Sequence, residues 1–210
     1  ITAKLVANLI VASGANRVLT MDLHAAQIQG FFDIPVDHLY GINVLCDYFA
    51  QKQIKDLVVV SPDVGGIKMA RAYAKRLNAG LAIVDKRRFS PEKTEVMNIL
   101  GDVKDKNVVL VDDIIATAGS LIEAIEALKS FGVKGVYALA SHGVLSGPAV
   151  ERIAKCSALL EVIITNSIPL KNAETCSKIK TLSVAPLLAE AIARTHNAES
   201  ISSLFDEIRN

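Results

Sequence analysis

Two adjacent carboxylates and a run of small, hydroxyl-bearing residues stand together in VVLVDDIIATAGS, residues 108–120. Asp112 and Asp113 can accept hydrogen bonds from vicinal hydroxyls. Thr117, Ala118, Gly119 and Ser120 lack bulk, so their backbone N–H groups can wrap an anion at a helix N-terminus, with two hydroxyls assisting. A phosphate held there places its attached sugar beside the two aspartates. The bland alternative is an ordinary strand-to-helix turn with a Thr N-cap and solvated acids. Paired acids directly behind an apolar strand tip the balance toward a ligand site.

Three further segments carry polar residues where an apolar run stops. MDLH ends in Asp22 and His24, and a strand-end imidazole can ligate a metal or bond a phosphate chain, although such a residue is more often merely exposed. SPDVGG offers Asp63, followed by Gly65 and Gly66, which let backbone approach a ligand closely or simply make a tight turn. DKRRFSPEK, residues 85–93, sets Lys86 and Arg88 among consecutive cations before turn-forming residues. A charge run of that kind is usually a solvated face. His142 ends another strand without a specific role, and His38 and His196 read as surface residues.

What positions these groups is an alternation of short apolar strands with helices. AKLVANLIVAS (3–13) has helical spacing and stops at Gly14, and RVLTMDLH follows as a strand. LVVVSPD (57–63) precedes a helix through GIKMARAYAKRLN, and LAIVDKRR (81–88) precedes a polar stretch. Residues 95–114 read as a hairpin with a wholly apolar return strand. TAGSLIEAIEALKSFG (117–132) is the clearest amphipathic helix; GVYALASH, a helix from Gly147, LEVIITN, KIKTLSV and a helix over 186–196 complete the pattern. This alternation predicts an open α/β fold, a parallel sheet covered on both faces. Ligands in such sheets sit beyond the carboxyl ends of the strands, where all four polar endings fall.

Composition excludes several classes. The chain has 210 residues, 51% of them hydrophobic, and 23 basic against 22 acidic side chains. Chains of that kind fold around a core and are not disordered. Near-neutral charge and 5% aromatic content argue against nucleic acid as a partner. No apolar run reaches the 18 or so residues of a membrane span. Three widely spaced cysteines, Cys46, Cys156 and Cys176, fit neither a disulfide framework nor a zinc spacing, which points to a reducing, cytoplasmic setting. The chain opens at Ile1 directly into an apolar periodic stretch and reads as a piece of something longer.

The VDDIIATAGS loop resembles the phosphoribosyl-pyrophosphate (PRPP) loop shared by type I phosphoribosyltransferases and ribose-phosphate diphosphokinase, the PRPP synthetase family. DLHAAQIQGFFDIPVD (22–37) resembles the signature of the synthetases and separates them from the transferases. SPDVGG (61–66), DKRR (85–88), EVMNILGDV (95–103), SHGVLSGPA (141–149) and AEAIARTHNAESISSLF (189–205) resemble the same family in the same order, so the resemblance covers essentially the whole chain. It implies two similar α/β halves of phosphoribosyltransferase type. Residues 1–38 would close the first half, 39–185 would form the second, and 186–210 would pack back on the first; the missing portion lies before Ile1.

The resemblance also implies chemistry: MgATP and ribose 5-phosphate as substrates, with Mg²⁺ as cofactor. His24 and Asp63 would contact the metal, Lys86 and Arg88 would act from a mobile catalytic loop, Asp112 and Asp113 would hold the ribose, and Ala116, Thr117, Ala118, Gly119 and Ser120 would hold the 5-phosphate. It implies a homo-oligomer, a hexamer built from dimers. Ser200, Ser202 and Phe205 would border a pocket for a phosphate or ADP effector, although locally Ser200 reads as a cap before the SSLF run. Three positions depart from the family pattern: Ala116 replaces a usual aspartate, Met69 a cation and Ser120 a threonine. The Ala116 change and the truncation keep open a second reading, a regulatory homologue that co-assembles with active subunits. A PRPP-consuming phosphoribosyltransferase is the third; the PRPP loop fits it and DLHAAQIQGFF does not.

Overall fold

The computed structural model describes residues 2–87, 96–170 and 176–204. The chain divides into two compact units, Ile1–Gly41 with Ala185–Asn210, and Ile42–Val184.

The first unit contains helix α1 (Thr2–Ala12), strand β1 (Val18–Met21), a 3-10 segment over Ala26–Phe31, strand β2 (Val36–Leu39) and helix α6 (Ala185–His196). The two strands are parallel, with Thr20 opposite His38. Gly14 ends α1 at φ +102°, a conformation that favours glycine, and its N–H reaches the Val11 carbonyl at 3.0 Å. Ala7, Leu39, Ala191 and Ile201 are buried, whereas Leu5 and Leu9 of α1 are 57% and 60% exposed.

The second unit is built on a seven-stranded sheet. Its elements are α2 (Ile42–Ala50), β3 (Leu57–Ser61), α3 (Ile67–Arg76), β4 (Gly80–Arg87), β5 (Val96–Leu100), β6 (Asn107–Ile115), α4 (Gly119–Ser130), β7 (Gly135–Gly143), α5 (Ala149–Lys155), β8 (Leu159–Thr165) and β9 (Ile179–Leu182). The strand order is β5-β4-β3-β6-β7-β8-β9, and every pairing is parallel except β4 with β5. The interior strands read as continuous aliphatic runs because both faces of a parallel sheet are covered. Val58–Val60, Val108–Val111 and Val162–Ile164 are at most 2% exposed. The helices supply the cover from one stripe each, α4 through Ala124, Ile125 and Leu128, α3 through Ala70, Tyr73 and Ala74.

One expectation is overturned. Residues 95–114 do not form a hairpin with each other: β5 turns back on β4, with Lys86 opposite Met97, and β6 inserts between β3 and β7. The reason is burial. A strand as apolar as β6 is stable only with both neighbours in place, while β5, with Asn98 and Leu100 exposed, suits an edge. Among the described residues no helix is long and apolar enough to cross a membrane.

The chain leaves β3 toward β4 on one side and returns to β6 on the other. The strand order therefore reverses between β3 and β6, the place at which open α/β sheets bind ligands beyond the carboxyl ends of their strands. SPDVGG follows β3 and DDIIATAGS closes β6.

Candidate functional site

In the second unit, Val60 of β3 lies opposite Leu110 of β6, so the segments that follow rise side by side. Asp112 and Asp113 lie near the carboxyl end of β6, and the Asp113 N–H donates to Asp112 Oδ1 at 2.9 Å. Burial, the Asp113 side chain and the charge of Asp63 together push the Asp112 carboxyl up to about 7. The solvated acids of the bland reading are not what is found. These three carboxylates gather negative charge in one place, an arrangement that favours an approaching cation or hydroxyl donors.

Beyond β6 the backbone forms a shaped turn. Helix α4 begins at Gly119, and its N-cap is Ala118 in the left-handed region at φ +57°, with no side-chain cap bond, so Thr117 is not the N-cap. Three successive carbonyls are held from behind. Ile115 accepts from the Leu145 N–H at 3.1 Å, Ala116 from the Ser146 N–H at 2.9 Å, and Thr117 from Arg152 Nη1 at 2.9 Å. A trans peptide sets each following N–H antiparallel to its carbonyl, so the N–H groups of Ala116, Thr117 and Ala118 point away from those anchors. Ala116, Thr117 and Ser120 are exposed. The result is a cradle of backbone donors at the start of a 12-residue helix. Arg152, Leu145 and Ser146 carry no signal in the sequence that would single them out, because their part in the site depends on β7 lying beside β6.

The SPDVGG turn is tied internally. Ser61 Oγ donates to the Asp63 carbonyl at 2.6 Å, and the Gly66 N–H donates to Asp63 Oδ1 at 2.9 Å. A Cβ on Gly66 would stand 2.7 Å from Ser61 Oγ, so the glycine is required by the close approach. Asp63 thus ties the turn leading into α3 with one oxygen while its charge bears on Asp112. Lys86 lies near the end of β4, and Arg88 falls outside the described residues.

The first unit holds the DLH segment. Asp22 sits at φ +41°; its N–H bonds the Leu39 carbonyl and its Oδ2 accepts the Gly41 N–H at 2.7 Å. The next N–H, Leu23, donates to His38 Nε2 at 2.9 Å. His38 was expected at the surface and is 7% exposed, because β2 lays its ring against Tyr40, with centroids 4.6 Å apart, and Nδ1 lies 3.0 Å from the Gln29 side-chain amide. His24, one residue on, is exposed. At the far end of this unit Ser200 Oγ accepts the Ser202 N–H at 3.2 Å, a local cap; Phe205 lies outside the described residues. His142 bonds Ser167 Oγ through Nδ1 at 2.8 Å.

Residues 86–206 match the model of the phosphoribosyl synthetase-associated domain. The chain belongs to the phosphoribosyl synthetase family. Among its relatives, the ribose-phosphate pyrophosphokinase of Bacillus caldolyticus is 57% identical over 206 residues, 98% of this chain and 65% of the relative. That of Caldanaerobacter subterraneus subsp. tengcongensis is 59% identical over the same shares. A crystal structure of phosphoribosylpyrophosphate synthetase from Mycobacterium smegmatis superposes with a TM-score of 0.86 at 40% identity, over 94% of this chain and 64% of that one. The chain therefore spans just under two thirds of the length of these synthetases. The open α/β fold expected from the sequence is the fold of the family.

Proposed function

We propose that this chain carries the ribose 5-phosphate site and the diphosphate-transfer machinery of a ribose-phosphate diphosphokinase. The reaction joins the 1-hydroxyl oxygen of ribose 5-phosphate to the β-phosphorus of ATP; the bond from that phosphorus to the α-phosphate bridging oxygen breaks, AMP leaves, and the hydroxyl gives up its proton. One observation carries the reading: a backbone cradle braced at three successive carbonyls opens directly beside Asp112 and Asp113 at the point where the strand order reverses. The cradle suits a phosphate, and the acids suit the hydroxyls of the sugar attached to it.

Each residue then has a task. N–H groups and hydroxyls from Ala116 to Ser120 bind the 5-phosphate, and Asp112 and Asp113 orient the ribose. Lys86 and Arg88 supply cationic stabilisation where charge spreads over the phosphoryl oxygens, so catalysis rests on positioning and electrostatics without a protein nucleophile. The residues fit a magnesium ion, since Asp112, Asp113 and Asp63 stand close enough together to raise the Asp112 carboxyl. Among the described residues no three His, Cys, Asp or Glu groups form a metal cage. Magnesium is usually held by one or two carboxylates and the substrate phosphates, and Asp63 would serve as such a ligand. Bound there, magnesium would neutralise phosphoryl charge. A cytoplasmic homo-oligomer, and an effector site for phosphate or ADP near Ser200 and Ser202, belong to the same proposal.

The experiment is AMP formation from ATP and Mg²⁺, with and without ribose 5-phosphate, on these 210 residues and on the full-length polypeptide. Ribose-dependent AMP from the full-length protein supports the synthetase. No AMP from either, with ribose 5-phosphate still bound, replaces it with the regulatory homologue that Ala116 also suits.

A further inference from the structure

We propose that Arg152, 35 residues beyond Thr117 in sequence, is a positioning residue for the phosphate cradle: it aims the Ala118 N–H at the ligand by holding the Thr117 carbonyl from behind. The inference rests on the reading of residues 116–120 as a phosphate site. Its starting point is a difference among the three braced carbonyls. Those of Ile115 and Ala116 are held by backbone N–H groups, which any sequence could supply. The third is held by a side chain, and only a long donor of fixed shape reaches it.

That third peptide is the one in need of help. Ala118 adopts a left-handed conformation that a non-glycine residue enters at a cost, and it is 4% exposed. Without an anchor on the Thr117 carbonyl, the 117–118 peptide can relax by rotating, and the N–H of Ala118 rotates with it. Arg152 Nη1 donates at 2.9 Å and fixes the plane. The guanidinium also borders the next residue: a Cβ built on Gly119 would stand 3.4 Å from Nη1, in ordinary van der Waals contact.

The platform that carries Arg152 is itself fixed. Its N–H bonds the Pro148 carbonyl at 2.9 Å, its carbonyl accepts the Cys156 N–H at 3.1 Å, and Ala149 and Ile153 of the same helix are fully buried. Lys178 Nζ then bonds the Cys156 carbonyl at 2.6 Å, holding the end of α5 to the segment leading into β9. An arginine in the middle of a fixed helix can define a peptide plane; a lysine at the same place keeps the charge but loses the fork and some reach.

The test uses the full-length polypeptide, with Arg152→Leu, Arg152→Lys and Gly119→Val. The expected result for Arg152→Leu is about a tenfold or larger rise in both the KM and the calorimetric Kd for ribose 5-phosphate, with kcat at saturation and the KM for ATP little changed, because the loss falls on one ligand. Arg152→Lys should recover part of the affinity. Should the leucine variant fail to fold, Arg152→Gln, shorter and uncharged but polar, takes its place. If Gly119→Val weakens ribose 5-phosphate while Arg152→Leu leaves it within about twofold, the proposal is overturned and the cradle stands. If neither variant alters ribose 5-phosphate affinity, residues 116–120 are not the phosphate site, and both readings fall. A parallel loss of kcat and of both affinities would make Arg152 a general structural residue and would also overturn the proposal.

Discussion

His38 Nε2 accepts the Leu23 N–H at 2.9 Å, one residue before His24. An accepting nitrogen carries no proton, so this contact exists only while the ring is neutral. Burial favours that state and lowers the His38 pKa below its ordinary 6.5, against the opposing pull of Asp22. The buried ring thus belongs to the support of the DLH turn.

The pH dependence follows with a definite sign. A histidine whose folded pKa is depressed contributes stability that is complete above the unfolded value and is lost as pH falls from about 6.5 through the lower folded value. Thermal unfolding between pH 8 and pH 5 should show the native protein losing more midpoint temperature than His38→Gln, which does not titrate. Equal slopes for the two proteins would remove His38 from the account.

Gly101 follows the last residue of β5, at the open end of the β4–β5 pair, at φ +125°, and a Cβ there would lie 2.6 Å from Ala82 Cβ and 2.9 Å from the Leu81 carbonyl oxygen. Neither neighbour has a flexible end that could yield. Gly101→Ala should therefore combine backbone strain with overpacking and cost about 2–4 kcal/mol in denaturant unfolding. A loss below about 0.5 kcal/mol would mean that this end of the pair relaxes freely.

Much of the fold was legible because buried parallel strands advertise themselves. LVVVS, VVLV and LEVIIT have no polar face to show, and the sequence reading placed them correctly. The hairpin over 95–114 failed because adjacency along the chain says nothing about whether a strand will accept a distant neighbour on each side. β6 took β3 and β7, and β5 was left to the nearer β4. At the site, Asp112, Asp113 and the small residues after them were readable as types in order. His38 and Arg152 were not. The role of His38 comes from the β1–β2 register, that of Arg152 from a helix anchored behind the loop it serves, and neither leaves a local pattern.

Asp112 holds a carboxyl raised from 3.8 to about 7. A carboxyl raised by folding contributes stability that is whole below its unfolded value and is lost as pH rises through the folded one. Asp112→Asn keeps an oxygen for the Asp113 N–H and removes the charge. Its midpoint temperature should exceed that of the native protein by an amount that grows from about pH 4 to about pH 7 and then levels. Each pKa unit corresponds to about 1.4 kcal/mol, so the gain is on the order of a few kcal/mol at most. Turnover should fall by about a hundredfold or more if the carboxylate orients the ribose. A variant that is neither more stable at pH 7.5 nor impaired would show that Asp112 is an ordinary solvated acid.

A substitution at Lys86 would separate binding from chemistry. Lys86 sits near the carboxyl end of β4, and β5 pairs with that strand up to Arg87. If its ammonium acts on charge that develops only during transfer, removing it spares the ground state. In the full-length polypeptide Lys86→Ala should lower kcat by about 10²–10³ while ribose 5-phosphate binds with little change, which a titration without ATP would show. Weakened ribose 5-phosphate binding with normal kcat would move Lys86 from the transferring phosphoryl group to the sugar phosphate. Near-normal values for both would take Lys86 out of the mechanism and leave diphosphate transfer without this cation.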